Sequence, residues 1–155
     1  MTKTNAMRLL DAAKINYRTA EYAYTEDDLS GVHAAQSIGM PEEQVFKTLV
    51  TRGDKTGLTV FCIPVAEELD LRKAAAASGN KKVEMVHVKE LLALTGYIRG
   101  GCSPIGMKKK YPTYIDETVI LHEEIAVSAG QRGLQLILSP ADLIAYTEAV
   151  ESDII

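Results

Sequence analysis

Apolar residues recur at helical spacing near the start of the chain. Ala6, Leu9, Leu10 and Ala13 fall on one face, and Thr4 or Asn5 can cap the helix they imply. Residues 16–24 alternate loosely and predict a strand. An acidic turn follows, and Ser30 or Gly31 opens a short helix over 32–38 that Gly39 ends. Pro41-Glu42-Glu43 starts a further helical turn. Residues 45–52 and 58–65 alternate around Gly53-Asp54-Lys55-Thr56-Gly57, which reads as a β-hairpin. Asp70 caps a predicted helix over 71–78, with Gly79 and Asn80 as its stop. Residues 81–85 suggest a short strand. Residues 88–95 suggest a helix offering Leu91, Leu92 and Leu94 to the core and ended by Gly96. Short strands are expected at 112–116 and 119–121, and a second hairpin at 124–130 and 134–138. Ser139-Pro140-Ala141-Asp142 then opens a last helix carrying Leu143, Ile144 and Tyr146. Two hairpins without strict strand–helix alternation predict an α+β fold with a mixed, mainly antiparallel sheet.

Composition narrows this. A length of 155 residues suits one domain with one proper core. No apolar run is long enough to cross a bilayer, and residues 1–5 lead into an amphipathic segment rather than a signal-type core, so a cytoplasmic protein is expected. Cys62 and Cys102 lack metal-ligand spacing and read as reduced thiols, and no metal or cofactor is called for. The net charge of −4 excludes a dedicated non-specific nucleic-acid binder but leaves room for a local basic patch. With no Trp, a base-stacking platform is excluded.

The candidate chemistry gathers at Arg99-Gly100-Gly101-Cys102-Ser103-Pro104-Ile105-Gly106-Met107-Lys108-Lys109-Lys110. Its glycines and proline rule out a helix or strand interior and allow close approach of another molecule to the backbone. Such a loop can present N–H groups to an oxygen, and the lysines after it can hold a polyanion or form a solvated charge run. HExxH, CxxC, GxSxG and Walker-type patterns are absent. His33, His87 and His122 are scattered. Cys102 is a candidate nucleophile only if a base lowers its pKa. On the first hairpin Lys47 shares a face with Leu49, while Phe46, Thr48 and Val50 take the other. Lys47 therefore either lies against protein, needing a partner or a ligand, or snorkels to solvent. Asp142 is explained by its helix cap.

Three stretches carry a resemblance: Val45-Phe46-Lys47-Thr48-Leu49-Val50, the loop from Gly100 to Lys109, and Val127-Ser128-Ala129-Gly130-Gln131-Arg132-Gly133-Leu134. In this order and spacing they resemble the YbaK family, free-standing relatives of the editing domain inserted in bacterial prolyl-tRNA synthetases. The likeness runs from the first helix to the Ser139 helix and is greatest to the branch that deacylates Cys-tRNA(Pro). It implies a barrel-like sheet with surrounding helices, and clearance of a mischarged ester without a protein nucleophile or cofactor, the substrate thiol attacking its own carbonyl. Lys47 matches the essential lysine and Gly101 the glycine whose backbone approaches substrate. Phe46, Gly100, Cys102, Ser103, Pro104, Ile105, Ser128 and Gly130 match pocket positions, together with Tyr22, although Tyr24 fits the N-terminal tyrosine as well. Lys108, Lys109, Lys110 and Arg132 are the expected tRNA contacts, with Gln131 standing where basic residues are common. The implied partners are tRNA(Pro) and prolyl-tRNA synthetase in a ternary complex. A non-catalytic binding module, a deacylase for Ala- or Ser-charged tRNA, and a Cys102-nucleophile hydrolase are the competing readings.

Overall fold

The caps that the sequence supplies stand at the helix starts. In the computed structural model, which describes residues 2–155, Thr4 Oγ1 accepts from the Met7 amide at the head of α1 (Asn5–Ala12), which buries Ala6, Met7 and Leu10. Ser30 caps α2 (Gly31–Ile38) by accepting from His33 N–H, and Asp70 caps α3 (Leu71–Ser78) through the Arg72 and Lys73 amides. At α4 (Val88–Thr95) the Glu90 carboxylate accepts from His87 N–H, and Ser139 caps α5 (Pro140–Thr147). Each cap satisfies amides that have no partner within the helix.

The strands are β1 (Arg18–Glu21), β2 (Phe46–Gly53), β3 (Gly57–Pro64), β4 (Val83–Met85), β5 (Thr113–Asp116), β6 (Ile125–Ser128), β7 (Leu134–Leu138) and β8 (Val150–Ser152). They form two sheets, ordered β1-β7-β6 and β4-β2-β3-β5-β8. Both expected hairpins are present, β2 with β3 and β6 with β7. The sheet is mixed because β5 runs parallel to both β3 and β8. The sheets meet at a parallel bridge between Val45 and Ala126.

Three expectations need correction. Neither sheet closes on itself among the described residues, so the barrel-like closure is not there. Residues 119–121 belong to a 3₁₀ helix, Glu117–Leu121, because Asp116 Oδ2 accepts from both the amide and the hydroxyl of Thr118 and turns the chain. Leu92 is solvent-facing at 53% exposure, so α4 contributes Leu91 to the core and not Leu92. The strand β8 was not anticipated. Its three residues are too few for a period to show.

Alternation along the first hairpin places Phe46, Val50, Val60 and Cys62 in a core shared with Val127, Leu134 and Leu136 of the three-stranded sheet and with α1. The opposite face sends Phe61 and Ile63 against Ala74 and Ala75 of α3 and against Ile154. α2 covers the outer face of the three-stranded sheet, Ala35 packing with Ala126 and Ile137. Both faces of β2 and β3 are thus covered, which fixes their register.

The hairpin turn is pinned from α3. Asn80 Oδ1 accepts from the Lys55 and Thr56 amides at 2.8 and 2.9 Å, and its Nδ2 donates to Thr56 Oγ1 and Ser78 Oγ. At Gly53 an added Cβ would stand 2.4 Å from the Asn80 amide. Asn80→Ala is expected to lower stability by about 2–3 kcal/mol, since it leaves turn amides without partners. Denaturant unfolding checks this, and a loss below about 0.5 kcal/mol would contradict the pinning role.

Candidate active site

β4 pairs only with Thr51, Arg52 and Gly53 of β2, and the Val86 amide reaches no further than the Val50 carbonyl. Beyond the bridge of Val45 with Ala126, the first residues of β2 have no ladder partner on that side among the described residues. A cavity of about 520 Å³ opens along them, bordered by all of residues 45–50. Side chains of a strand alternate between faces, so consecutive residues share one space only along an edge. Lys47 lies here, half-buried, with no hydrogen bond or ion pair among the described residues. Burial holds its pKa below the ordinary 10.5, and the charges of Glu68 and Glu67 partly offset that.

The glycine loop and the turn after β6 come together above this edge. An added Cβ on Gly101 would stand 3.1 Å from the Arg132 nitrogen and from the Cα and carbonyl carbon of Gln131, so the loops touch backbone to backbone. Arg132 Nε donates to the Arg99 carbonyl at 2.9 Å and ties them further. Gly101 N–H donates to the Ile98 carbonyl, and Gly101 is buried outside the cavity wall. The loop residues that do border the cavity are Arg99, Gly100 and Cys102.

Cys102 is no activated nucleophile. Burial pushes its thiol up to about 12, and the Thr95 hydroxyl only partly offsets that. Cys62, fully buried, is also pushed up to about 12 by burial. Among the described residues no group of three or more His, Cys, Asp or Glu could hold a metal ion.

Of the other expected site residues, Tyr22, Phe46 and Ser128 border the cavity. Tyr22 is on the wall and its ring meets His33 edge-on at 6.1 Å, while Tyr24 is 45% exposed and off the wall. Ser103 and Ile105 are buried beneath the loop, the Ser103 hydroxyl accepting from the Ile105 amide. Gly130, at φ +105, packs against the Tyr97 ring. Pro104, Lys109 and Lys110 border a second cavity of about 400 Å³ instead, and Lys110 pairs with Glu148. Lys108 is exposed and reaches the Ala93 carbonyl. The lysine run thus lies off the wall of the Lys47 cavity.

Sequence reasoning missed Leu29, Met85, Val86, Leu91 and Gln135 on the cavity wall. A signal existed for Gln135, which is the polar exception in Leu134-Gln135-Leu136-Ile137-Leu138. It is 6% exposed, and its Oε1 is buried without a hydrogen-bond partner among the described residues. Such an acceptor costs about 1–3 kcal/mol. The other missed residues come from loops and strand ends that only the fold brings to the cavity.

The site can therefore position a ligand between an unpaired cation and a small-residue floor, and it lacks the parts of a covalent mechanism. The sequence family described as the aminoacyl-tRNA editing domain matches residues 28–146. The chain belongs to the aminoacyl-tRNA editing family. This editing domain is 53% identical over 152 residues to EbsC of Enterococcus faecalis, provisionally named a Cys-tRNA(Pro)/Cys-tRNA(Cys) deacylase, with 98% of this chain and 93% of EbsC covered. It is 32% identical over 100 residues to a proline–tRNA ligase of Shouchella clausii, 64% of this chain but 17% of that protein. It also superposes on a solved structure described provisionally as a trans-editing enzyme for prolyl-tRNA synthetase. That match has a TM-score of 0.84 at 26% identity, covering 99% of this chain and 98% of the other.

The Lys47 environment makes a signed prediction. With its folded pKa below the unfolded one, the unfolded chain binds more protons between the two values, so stability gains as pH rises through that window. At neutral pH the full penalty of the half-buried charge is present. Lys47→Met is expected to raise the melting temperature at pH 7, by a margin that shrinks as pH approaches 10.5. A lower melting temperature at pH 7 would show that Lys47 is paired in solution.

Proposed function

We propose that this editing domain is a trans-acting deacylase that clears mischarged aminoacyl-tRNA, with Cys-tRNA(Pro) as its substrate. The observation that carries this is Lys47, a half-buried ammonium with no protein partner among the described residues, on the wall of a cavity whose cysteine is buried and not activated. An aminoacyl ester is already activated, so orientation and charge stabilisation suffice to cleave it. The substrate thiol attacks its own carbonyl carbon, the new S–C bond closes a thiolactone, and the C–O bond to the ribose breaks. The ribose oxygen leaves as a hydroxyl, taking up the proton that the thiol gives up. Lys47 fixes the ribose or phosphate end and stabilises the developing negative charge. Phe46, Tyr22, Gly100, Cys102 and Ser128 shape the pocket around the cysteinyl group. Gly101, Ser103, Pro104, Ile105 and Gly130 hold the two loops that roof it.

The similarity to segments of proline–tRNA ligases supports tRNA and the synthetase as partners. Cysteine and proline are close in size, so a synthetase pocket separates them poorly and a second sieve is needed. Selection of tRNA(Pro) then comes from a ternary complex with prolyl-tRNA synthetase in the cytoplasm, because a chain of net charge −4 grips tRNA weakly by itself. Lys108, Lys109, Lys110 and Arg132 supply phosphate contacts outside the cavity.

Single-turnover deacylation of Cys-, Ala- and Ser-tRNA(Pro) tests this reading. Rapid loss of cysteine only is expected. Lys47→Ala should slow it roughly 100-fold, the scale for removing one charge-stabilising group. Equal loss of alanine or serine would remove the substrate-thiol mechanism, and an unchanged Lys47→Ala rate would remove the site. Replacing Lys108, Lys109 and Lys110 by Ala should flatten the fall of activity with salt. An unchanged salt slope would take the tRNA contact away from them.

A further inference from the structure

Tyr97 stands directly after Gly96, the residue that ends α4, and is 8% exposed. Its backbone is mounted on the helix end. The Tyr97 N–H donates to Thr95 Oγ1 at 3.0 Å, and that hydroxyl donates to the Leu91 carbonyl one turn back. From this mount the side chain reaches both loops over the Lys47 cavity. The phenol donates to the Ile105 carbonyl at 2.5 Å. An added Cβ on Gly106 would stand 3.0 Å from the phenol oxygen, and one on Gly130 would stand 2.9 Å from the ring carbon Cε1. One ring thus sets how closely the glycine loop and the turn after β6 approach α4. The Gly101 contact joins the two loops to each other, and Tyr97 joins both to the helix.

We propose that Tyr97 is a positioning residue for ester cleavage, holding the glycine loop and the turn after β6 at one fixed spacing, an inference that rests on the deacylase reading above. Each of its contacts leads to the cavity wall. The Ile105 N–H donates to Ser103 Oγ, and Ser103 follows Cys102, which borders the cavity. The Gly130 N–H donates to Ser128 Oγ at 3.2 Å, and Ser128 borders the cavity as well. Moving the tyrosine therefore moves Cys102 and Ser128 relative to Lys47, which β2 carries separately. A phenylalanine would fill the same space, so what the hydroxyl adds is the tie to the loop. Burial pushes the phenol up to about 12, so it keeps the proton it donates throughout the neutral range. Tyr97 is not itself on the cavity wall and acts through the loops. An ester cleaved by its own thiol depends on how well its reacting atoms are aligned, and alignment is what a fixed spacing supplies.

The test is single-turnover cleavage of cysteinyl-tRNA(Pro) over a range of protein concentrations, well below each melting temperature. It compares wild type, Tyr97→Phe and Asn80→Ala. Tyr97→Phe keeps the ring and loses the tie. Asn80→Ala is the control, since it loosens the first hairpin turn, off the cavity wall. Both variants are expected to melt below wild type. Tyr97→Phe should cleave roughly 10- to 100-fold more slowly at saturation, the scale for a small misplacement of reacting groups, with the half-saturating concentration unchanged. Asn80→Ala should keep the wild-type rate. A tyrosine that only stabilises the fold predicts that the two variants lose rate alike or not at all, and either result overturns the proposal. A second readout needs no turnover. Cys102 lies on the loop that Tyr97 ties down and borders the cavity, while Cys62 is 1% exposed. Labelling of Cys102 by a small aromatic disulfide, located by mass mapping, should be roughly 10-fold faster in Tyr97→Phe, the scale for one lost hydrogen bond. It should be unchanged in Asn80→Ala. If labelling divides in this way but wild type cleaves no aminoacyl-tRNA, the Tyr97 tie stands and the deacylase reading falls. If all three proteins label alike, the Tyr97 assignment falls whatever the cleavage rates.

Discussion

The cavity depends on a contact of backbone against backbone. Gly101 lies so close to Gln131 and Arg132 that an added Cβ would stand 3.1 Å from main-chain atoms, and main chain cannot swing aside as a side-chain tip can. That contact holds the loop after α4 on the turn between β6 and β7, two segments about thirty residues apart in sequence. Because the loop is held there, Gly100 and Cys102 face the open edge of β2, and Ser103 and Ile105 are driven underneath as packing. The Arg132 guanidinium on the Arg99 carbonyl locks the same junction from the outside.

The second constraint is a strand that ends early. Had β4 continued alongside Phe46 and Lys47, the edge would be a closed ladder, and the cavity that borders it would be filled by strand. Ending it at Met85 exposes the β2 edge inside the molecule rather than to bulk water, where edges invite aggregation. The result is a site with a half-buried ammonium on β2 that has no partner among the described residues. An unmet, partly buried charge destabilises a fold, and keeping one on a cavity wall is how a protein keeps binding capacity for a ligand.

Helix boundaries were legible in the chain because they rest on local chemistry. Thr4, Ser30, Asp70 and Ser139 cap their own neighbours, and Gly39, Gly79 and Gly96 take left-handed conformations within the same turn. The hairpins were legible for the same reason, a period of two on either side of a turn. The 3₁₀ helix at Glu117–Leu121 was not. It depends on Asp116, which also accepts from the Ile154 amide far along the chain. β8 was hidden likewise, since its pairing with β5 is set by where the last helix ends.

For the site, the sequence by itself determined the residue types and the loops: Lys47 on a strand with two covered faces, glycines where backbone must approach backbone, and a polar residue inside an apolar run. These are local facts of period, sterics and polarity. Only the tertiary structure decided which of them share a space. It separated Gly100 and Cys102 from Ser103 and Ile105 within one loop, put Tyr22 but not Tyr24 on the cavity wall, and placed Lys109 and Lys110 at a different cavity. Alternation and glycine content cannot say where a neighbouring strand stops or which backbone a loop rests on, because those are set by contacts between distant segments.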